Sequence, residues 1–253
     1  EQAIEPTATL VHEHLGSNIA SQTPAGYGDV ERGLAEADIV FTDRLRIHRS
    51  GGQSIETRGC AAIYDPTGPL LTMWASTQLP HFLRTSVAYM FDLEEEQVRI
   101  IAPDVGGGFG PKGTGYVDDI VVAFLARHLQ RPIKWIEDRR ESLMCAHQEH
   151  EQVHEVEVGI TGDGRLVAVR DRILCDTGAY CPRGLVVPIM AMVNVPGPYR
   201  LPNYAGELTV AYSNRVPVAP VRGAGRPPSV AVMETIMNRI ARELGRDPLE
   251  VRR

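Results

Sequence analysis

The sequence predicts an α+β protein made of two β-β-α-β-type units, with mixed sheets and helices packed on them. Three observations carry that expectation. Strand-like and helix-like stretches alternate along most of the chain, and the series begins again near residue 145. Each half contains two strand-like runs joined by a turn signal, Asp65-Pro-Thr-Gly68 in the first and Thr161-Gly-Asp-Gly164 in the second. Each half also contains a run with helical periodicity, over 116–129 and over 229–244. The expected division is an extended lead-in over 1–37, a first unit over 38–145 and a second over 146–253.

Taken in order, Asp29 to Ala37 suits one short helix inside the lead-in. Alternation over 39–48 gives a strand, followed by strands over 60–64 and 70–75. Ser76 or Thr77 is the expected N-cap of a helix running to Met90, with Leu83, Val87 and Met90 as its apolar stripe. Residues 98–102 form a short apolar strand. The helix over 116–129 carries Asp118 and Asp119 in its first turn and Arg127 and His128 in its last, which suits the helix dipole. Pro132 ends it, and 133–136 is a strand. Strands over 153–160, 166–175 and 207–212 follow. The region 178–205, with five prolines, reads as a long irregular loop. Val230, Met233, Met237, Ile240 and Leu244 mark one face of the last helix, Gly245 stands at its C′ position and Pro248 follows.

Composition narrows the function. The chain has 253 residues, 43% hydrophobic and 23% charged, with net charge −6 and no basic run. These values suit a soluble globular protein and argue against a nucleic-acid partner. The longest apolar stretch, 185–195, is too short for a membrane span and contains Pro188, so no membrane partner is expected. Cys60, Cys145, Cys175 and Cys181 form no C-x-x-C, which points to reduced cytoplasmic thiols, with Cys175 and Cys181 the one pair to consider. His147, His150 and His154 would share a face on a helix, but the strand pattern of 153–158 scatters them. A chain beginning at Glu1 rather than Met suggests a processed protein or part of a longer one.

One stretch carries chemistry on its own: Asp104-Val-Gly-Gly-Gly-Phe-Gly-Pro-Lys-Gly113. Between a strand and a helix start, its glycines allow close backbone approach to an anionic or metal-oxo ligand. Gly108-Phe-Gly110-Pro-Lys-Gly113 also fits the dinucleotide pattern, with Glu137 near the place of the ribose-binding acid.

Six motifs then occur in order: Trp74-Ala-Ser-Thr-Gln78, Pro103 to Gly110, Arg131 to Asp138, Asp176-Thr-Gly-Ala-Tyr180, Gly197-Pro-Tyr-Arg200 and Arg222-Gly-Ala-Gly-Arg-Pro227. Together they resemble the molybdenum-binding large subunit of the xanthine oxidase and aldehyde oxidase family, specifically its first molybdopterin-binding domain. The resemblance spans nearly the whole chain and outweighs the dinucleotide pattern.

The resemblance implies a molybdenum–molybdopterin cofactor, in plain or cytosine dinucleotide form. It implies oxidation of an aldehyde or N-heteroaromatic C–H with water as oxygen source. Electrons would leave through iron–sulfur clusters and FAD on other domains or subunits, so the remainder of the molybdenum subunit and iron–sulfur and flavin subunits are the implied partners. Gln78 matches a glutamine that donates to a molybdenum oxygen. Gly108, Phe109 and Gly110 match backbone lying against the cofactor, and Arg222 matches the arginine of a second cofactor loop. Three substrate-pocket positions depart from the purine-oxidising members: Gly113, Met190 and Ala224 stand where those carry glutamate, arginine and phenylalanine. Gly223 stands where carbon-monoxide-oxidising members carry a copper-binding cysteine. The family's general-base glutamate belongs to a block outside this chain, so no catalytic residue is expected within it and the chain alone should be inactive. The alternative is a non-catalytic binding or assembly module with this fold, or, on the glycine pattern alone, a dinucleotide-binding domain.

Overall fold

The computed structural model describes residues 1–183 and 185–253. The chain divides into two units, one made of Glu1–Ser50 with Gln148–Arg253 and the other of Gly51–His147. The architecture is α+β with a mixed sheet in each unit.

The discontinuous unit is built on a five-stranded sheet. Its spatial order is Ile19–Tyr27, Asn203–Tyr212, Leu166–Gly178, Gln152–Ile160, Ile39–Ile47. Neighbours are antiparallel except Leu166–Gly178 and Asn203–Tyr212, which run parallel. A parallel pair requires a crossover, and the crossover explains the region expected to be irregular: it contains the helix Val186–Asn194. Pro188 falls in that helix's first turn, where its missing N–H costs nothing. The long helix Arg226–Leu244 packs Val232, Met233, Ile236 and Ile240 on Val156, Val158 and Ile160 of the sheet. Gly245 ends it with φ +62°, as its C′ position requires.

The division differs from the sequence expectation in one respect. Residues 1–37 contain the edge strand Ile19–Tyr27, and both it and Ile39–Ile47 pair with strands from the second half. Pro24, Gly26 and Gly28 conceal this strand in the sequence. Pro24 has no N–H to give the ladder, which an edge strand tolerates. A Cβ on Gly26 would lie 2.3 Å from the Tyr204 carbonyl oxygen, so the strand needs glycine there to approach its neighbour.

The Gly51–His147 unit has a four-stranded sheet in the order Val98–Ile101, Leu70–Ala75, Gly59–Asp65, Ile133–Ile136. Leu70–Ala75 and Val98–Ile101 are parallel, linked by the helix Pro80–Phe91. That helix and Val117–Leu129 bury Leu83, Val87, Val122, Ala123 and Ala126 against Leu71, Met73 and Val98. The first helix begins at Pro80, later than the Ser76 or Thr77 cap, because the Thr77 hydroxyl instead accepts a hydrogen bond from the Leu79 amide. A short helix absent from the sequence reading, Arg139–Cys145, is opened by a reciprocal Asp138–Glu141 capping box.

The four cysteines are free thiols, Cys175 fully buried. His154 lies on a strand, its Nδ1 2.9 Å from Asp171 and its Nε2 3.0 Å from the Gln152 side-chain oxygen Oε1. Among the described residues no group of three or more His, Cys, Asp or Glu is arranged to hold a metal, and no helix is long and apolar enough to cross a membrane.

Candidate functional site

In the Gly51–His147 unit the glycine stretch forms a loop directly after the strand Val98–Ile101. It runs into a 3-10 turn, Pro111–Gly113, and the helix starts only at Val117. The loop is therefore separated from the helix N-terminus, and its ligand capacity rests on its own backbone. Gln78 is fastened to it twice. The Gln78 amide donates to the Lys112 carbonyl at 2.9 Å, and the Gln78 side-chain Oε1 accepts from the Gly110 amide at 2.8 Å. A Cβ on Gly108 would lie 2.5 Å from Gln78 Cδ, so only glycine lets the side chain lie there. Gly110 has φ +113°, outside the reach of an ordinary L residue. With Oε1 engaged, Gln78 is exposed and its Nε2 has no partner among the described residues. The arrangement offers a neutral, oriented donor.

Phe109 also has positive φ, +55°, and is 43% exposed, so the ring is not a core aromatic. Gly113 stands beside open space, with nothing within 4 Å of where a Cβ would be.

Two groups hold this loop. Glu56 Oε2 accepts from the Gly106 amide at 2.8 Å, the Ser76 hydroxyl at 2.7 Å and the Lys112 ammonium at 2.7 Å. One oxygen thus ties the two ends of the loop to the segment carrying Gln78. Burial opposes the charge on Glu56, but the three donors outweigh it and hold its pKa below the ordinary carboxylate value. Lys112 is 2% exposed, and a buried ammonium depends on such a partner. Tyr116 supplies the second support, its hydroxyl donating to the Pro111 carbonyl at 2.8 Å. The Tyr116 ring lies 3.7 Å beneath the Arg58 guanidinium and stacks on His147. Burial, with Arg58 nearby, lowers His147 to about 4. Glu137 is consumed by Arg58: Oε1 accepts from Nε at 3.0 Å and from Nη2 at 2.6 Å, and Oε2 from the Arg58 amide. It is buried, 1% exposed, and paired with Arg58, so it is not open to a ribose, which counts against the dinucleotide pattern.

The discontinuous unit holds the second loop, Val221 to Arg226. Gly223, Ala224 and Gly225 have φ of +114°, +47° and +92°. A Cβ on Gly225 would lie 2.2 Å from the Val187 carbonyl oxygen and 3.0 Å from Met190 Cβ. The loop is thereby pressed on the helix Val186–Asn194, and Met190 is brought beside Gly225. Arg222 is exposed and makes no ion pair or hydrogen bond with any described residue, leaving a free cation on the loop. Glu149, which is fully buried, accepts from the Gly225 amide at 3.2 Å. Burial pushes its pKa up to about 7.

The structure thus gathers Gln78, Gly108, Phe109 and Gly110 on one unit, with Gly113 just beyond, and Arg222, Ala224 and Met190 on the other. Sequence reasoning missed the residues behind each loop: Glu56, Lys112 and Tyr116, and Glu149. Lys112 was visible as a charge set inside a glycine run.

The family model for molybdopterin cofactor-binding domains matches residues 11–253. The chain belongs to that family. It is 36% identical over its whole length to the nicotinate dehydrogenase large molybdopterin subunit of Eubacterium barkeri, covering 58% of that protein. It is 32% identical over 93% of its length to the nicotine 6-hydroxylase large subunit of Paenarthrobacter nicotinovorans, covering 29% of it. The solved structure of quinoline 2-oxidoreductase from Pseudomonas putida 86 superposes with a TM-score of 0.94 at 32% identity, over all of this chain and 32% of that one. The chain therefore spans between about a third and three-fifths of these relatives. The residues present fit the family's group: an oriented Gln78 donor, a loop approachable because it lacks Cβ atoms, and an unpaired Arg222.

Proposed function

We propose that the chain is the cofactor-facing part of a molybdenum hydroxylase large subunit that oxidises an activated C–H of an N-heteroaromatic or aldehyde. The observation that carries this reading is the Gln78–Gly110 hydrogen bond, which locks the amide with its donor end unengaged. When bound, the molybdenum–molybdopterin group supplies oxidative hydroxylation with oxygen from water. The chain's own work is binding and orientation. Gln78 Nε2 donates to an oxygen of the group without adding charge. The backbone of Gly108, Phe109 and Gly110 lies against it, and the Arg222 guanidinium meets its anionic part.

N-heteroaromatic substrates are favoured by the names of three relatives, which refer to nicotine, nicotinate and quinoline. Purines are disfavoured by the pocket positions. Gly113 presents open space where purine-oxidising members carry a carboxylate, Met190 offers no charge, and Ala224 no ring. Unpaired polar atoms on a purine would reduce its turnover by orders of magnitude, roughly 10⁴-fold or more. The general base, the electron-transfer centres and their subunits lie outside this chain.

The test is turnover by the complete protein, purified from its source, with an artificial electron acceptor. N-heteroaromatics or aldehydes should be oxidised and xanthine should be poor, and Gln78→Leu should lower kcat by about 10²-fold. Efficient xanthine oxidation would overturn the substrate assignment. A folded complex with cofactor and no turnover of either class would support the binding-module alternative.

A further inference from the structure

The arginine loop has a conformation it does not maintain alone. Three successive residues, Gly223, Ala224 and Gly225, have positive φ, one of them not a glycine. Such backbone persists only where its surroundings impose it. Within the loop, the Ala224 amide donates to the Val221 carbonyl at 2.8 Å and the Arg226 amide to Gly223 at 3.2 Å. Besides the packing on Val187 and Met190, a further restraint comes from a residue distant in sequence. Glu149 receives the Gly225 amide on Oε1 at 3.2 Å, and the Val221 backbone lies near enough to favour its charged form. These two positions bracket Arg222, Gly223 and Ala224.

Glu149 is well placed to act as a fixed post. It lies in the short strand Gln148–Glu149, and Gln148 is held by a parallel bridge to Val218. Glu149 is 0% exposed, and its Oε2 has no hydrogen-bond partner among the described residues. The His150 Nε2 lies 3.3 Å from Oε2, and burial keeps that ring below its ordinary pKa. The carboxylate is thus spent on loop backbone and forms no ion pair with Arg222, whose charge stays uncompensated.

We infer that Glu149 is the positioning residue of the arginine loop, fixing its backbone from Val221 to Gly225 so that the Arg222 guanidinium is presented to an anionic ligand. The clamp stands on the geometry above; its service to the cofactor rests on the proposed function. Loss of the carboxylate frees the Gly225 amide and lets the loop relax from its positive-φ path. An amide in its place keeps an acceptor oxygen at the same reach, whereas a side chain one methylene shorter does not.

Trypsin reads the loop without reference to activity, because Arg222 is followed by Gly223 and Arg226 by the resistant Pro227. In the complete protein, Glu149→Ala should speed cleavage after Arg222 by about tenfold or more, since cutting follows the population of the opened loop. Glu149→Gln should stay within about twofold of wild type, and Glu149→Asp should behave like Glu149→Ala. If Glu149→Ala does not fold, the Asp and Gln variants carry the comparison. Equal cleavage of wild type and Glu149→Ala, or of the Asp and Gln variants, overturns the clamp. Molybdenum and pterin content, measured on the same samples, should fall with Glu149→Ala and recover with Glu149→Gln. Faster cleavage with unchanged cofactor content, or in a protein that holds none, upholds the clamp and overturns its service to the cofactor.

Discussion

The two loops are each held by a glutamate, Glu56 exposed and Glu149 fully buried, and the two differ in charge partner. Glu56 receives one ammonium, one hydroxyl and one amide on a single oxygen, and remains ionised below its usual range. Glu149 receives a backbone amide and no cation, in full burial, and rises to about 7. The difference teaches that burial and donors act together: exposed Glu56 has three donors, one of them a cation, that outweigh its desolvation, whereas for fully buried Glu149 desolvation prevails over neutral amides. The glycine loop is thus tied by an ion pair, and the arginine loop is tied without one, which leaves its own cation free.

The same substitution should separate tight from open positions in the two loops. Gly225→Ala places a Cβ 2.2 Å from a backbone oxygen at φ +92° and should cost the most, about 4 kcal/mol or more, read as a lowered denaturation midpoint of the complete protein. Next comes Glu56→Ala, which leaves buried Lys112 without its carboxylate; because Glu56 is partly exposed the loss is expected to be about 2–3 kcal/mol, and Lys112→Met in the same chain should recover much of it. No rescue by the double variant would remove the ion pair from the comparison.

The pH response should differ in sign. Glu149 has a raised pKa, so its contribution is fully present below its unfolded value and is lost as pH rises through about 7, by up to roughly 3 kcal/mol. Glu56 has a lowered pKa, so its contribution is present above the unfolded value and is lost as pH falls through the folded one. Urea midpoints between pH 5.5 and 8 should fall in wild type and fall less in Glu149→Gln; identical slopes would mean that Glu149 does not titrate there. The smallest effect belongs to Gly113→Ala, whose Cβ meets nothing within 4 Å: stability should stay within about 0.5 kcal/mol.

What was legible in the sequence was what neighbouring residues determine. The turn Asp65 to Gly68, the C′ glycine Gly245 and the glycine stretch each declare themselves within a few positions. The edge strand Ile19–Tyr27 was not legible, because its pairing with Asn203–Tyr212 excuses the proline and glycines that usually exclude a strand. The helix Val186–Asn194 was hidden by being apolar nearly all round, which erases the 3.6-residue contrast. Of the site, Gln78, Gly110 and Arg222 were reached through ordered motifs. Glu56 and Glu149 were not, since they meet their loops across 50 and 76 residues with no local signature.

The most direct measurement is molybdenum and pterin per chain in the complete protein, made in a host that supplies the cofactor, for wild type and Gly110→Val. At φ +113° a valine is strained, and its side chain stands where the backbone would face the ligand. The account predicts near-stoichiometric cofactor in wild type and at least a roughly tenfold loss in a folded Gly110→Val protein. Full occupancy in the variant would contradict it.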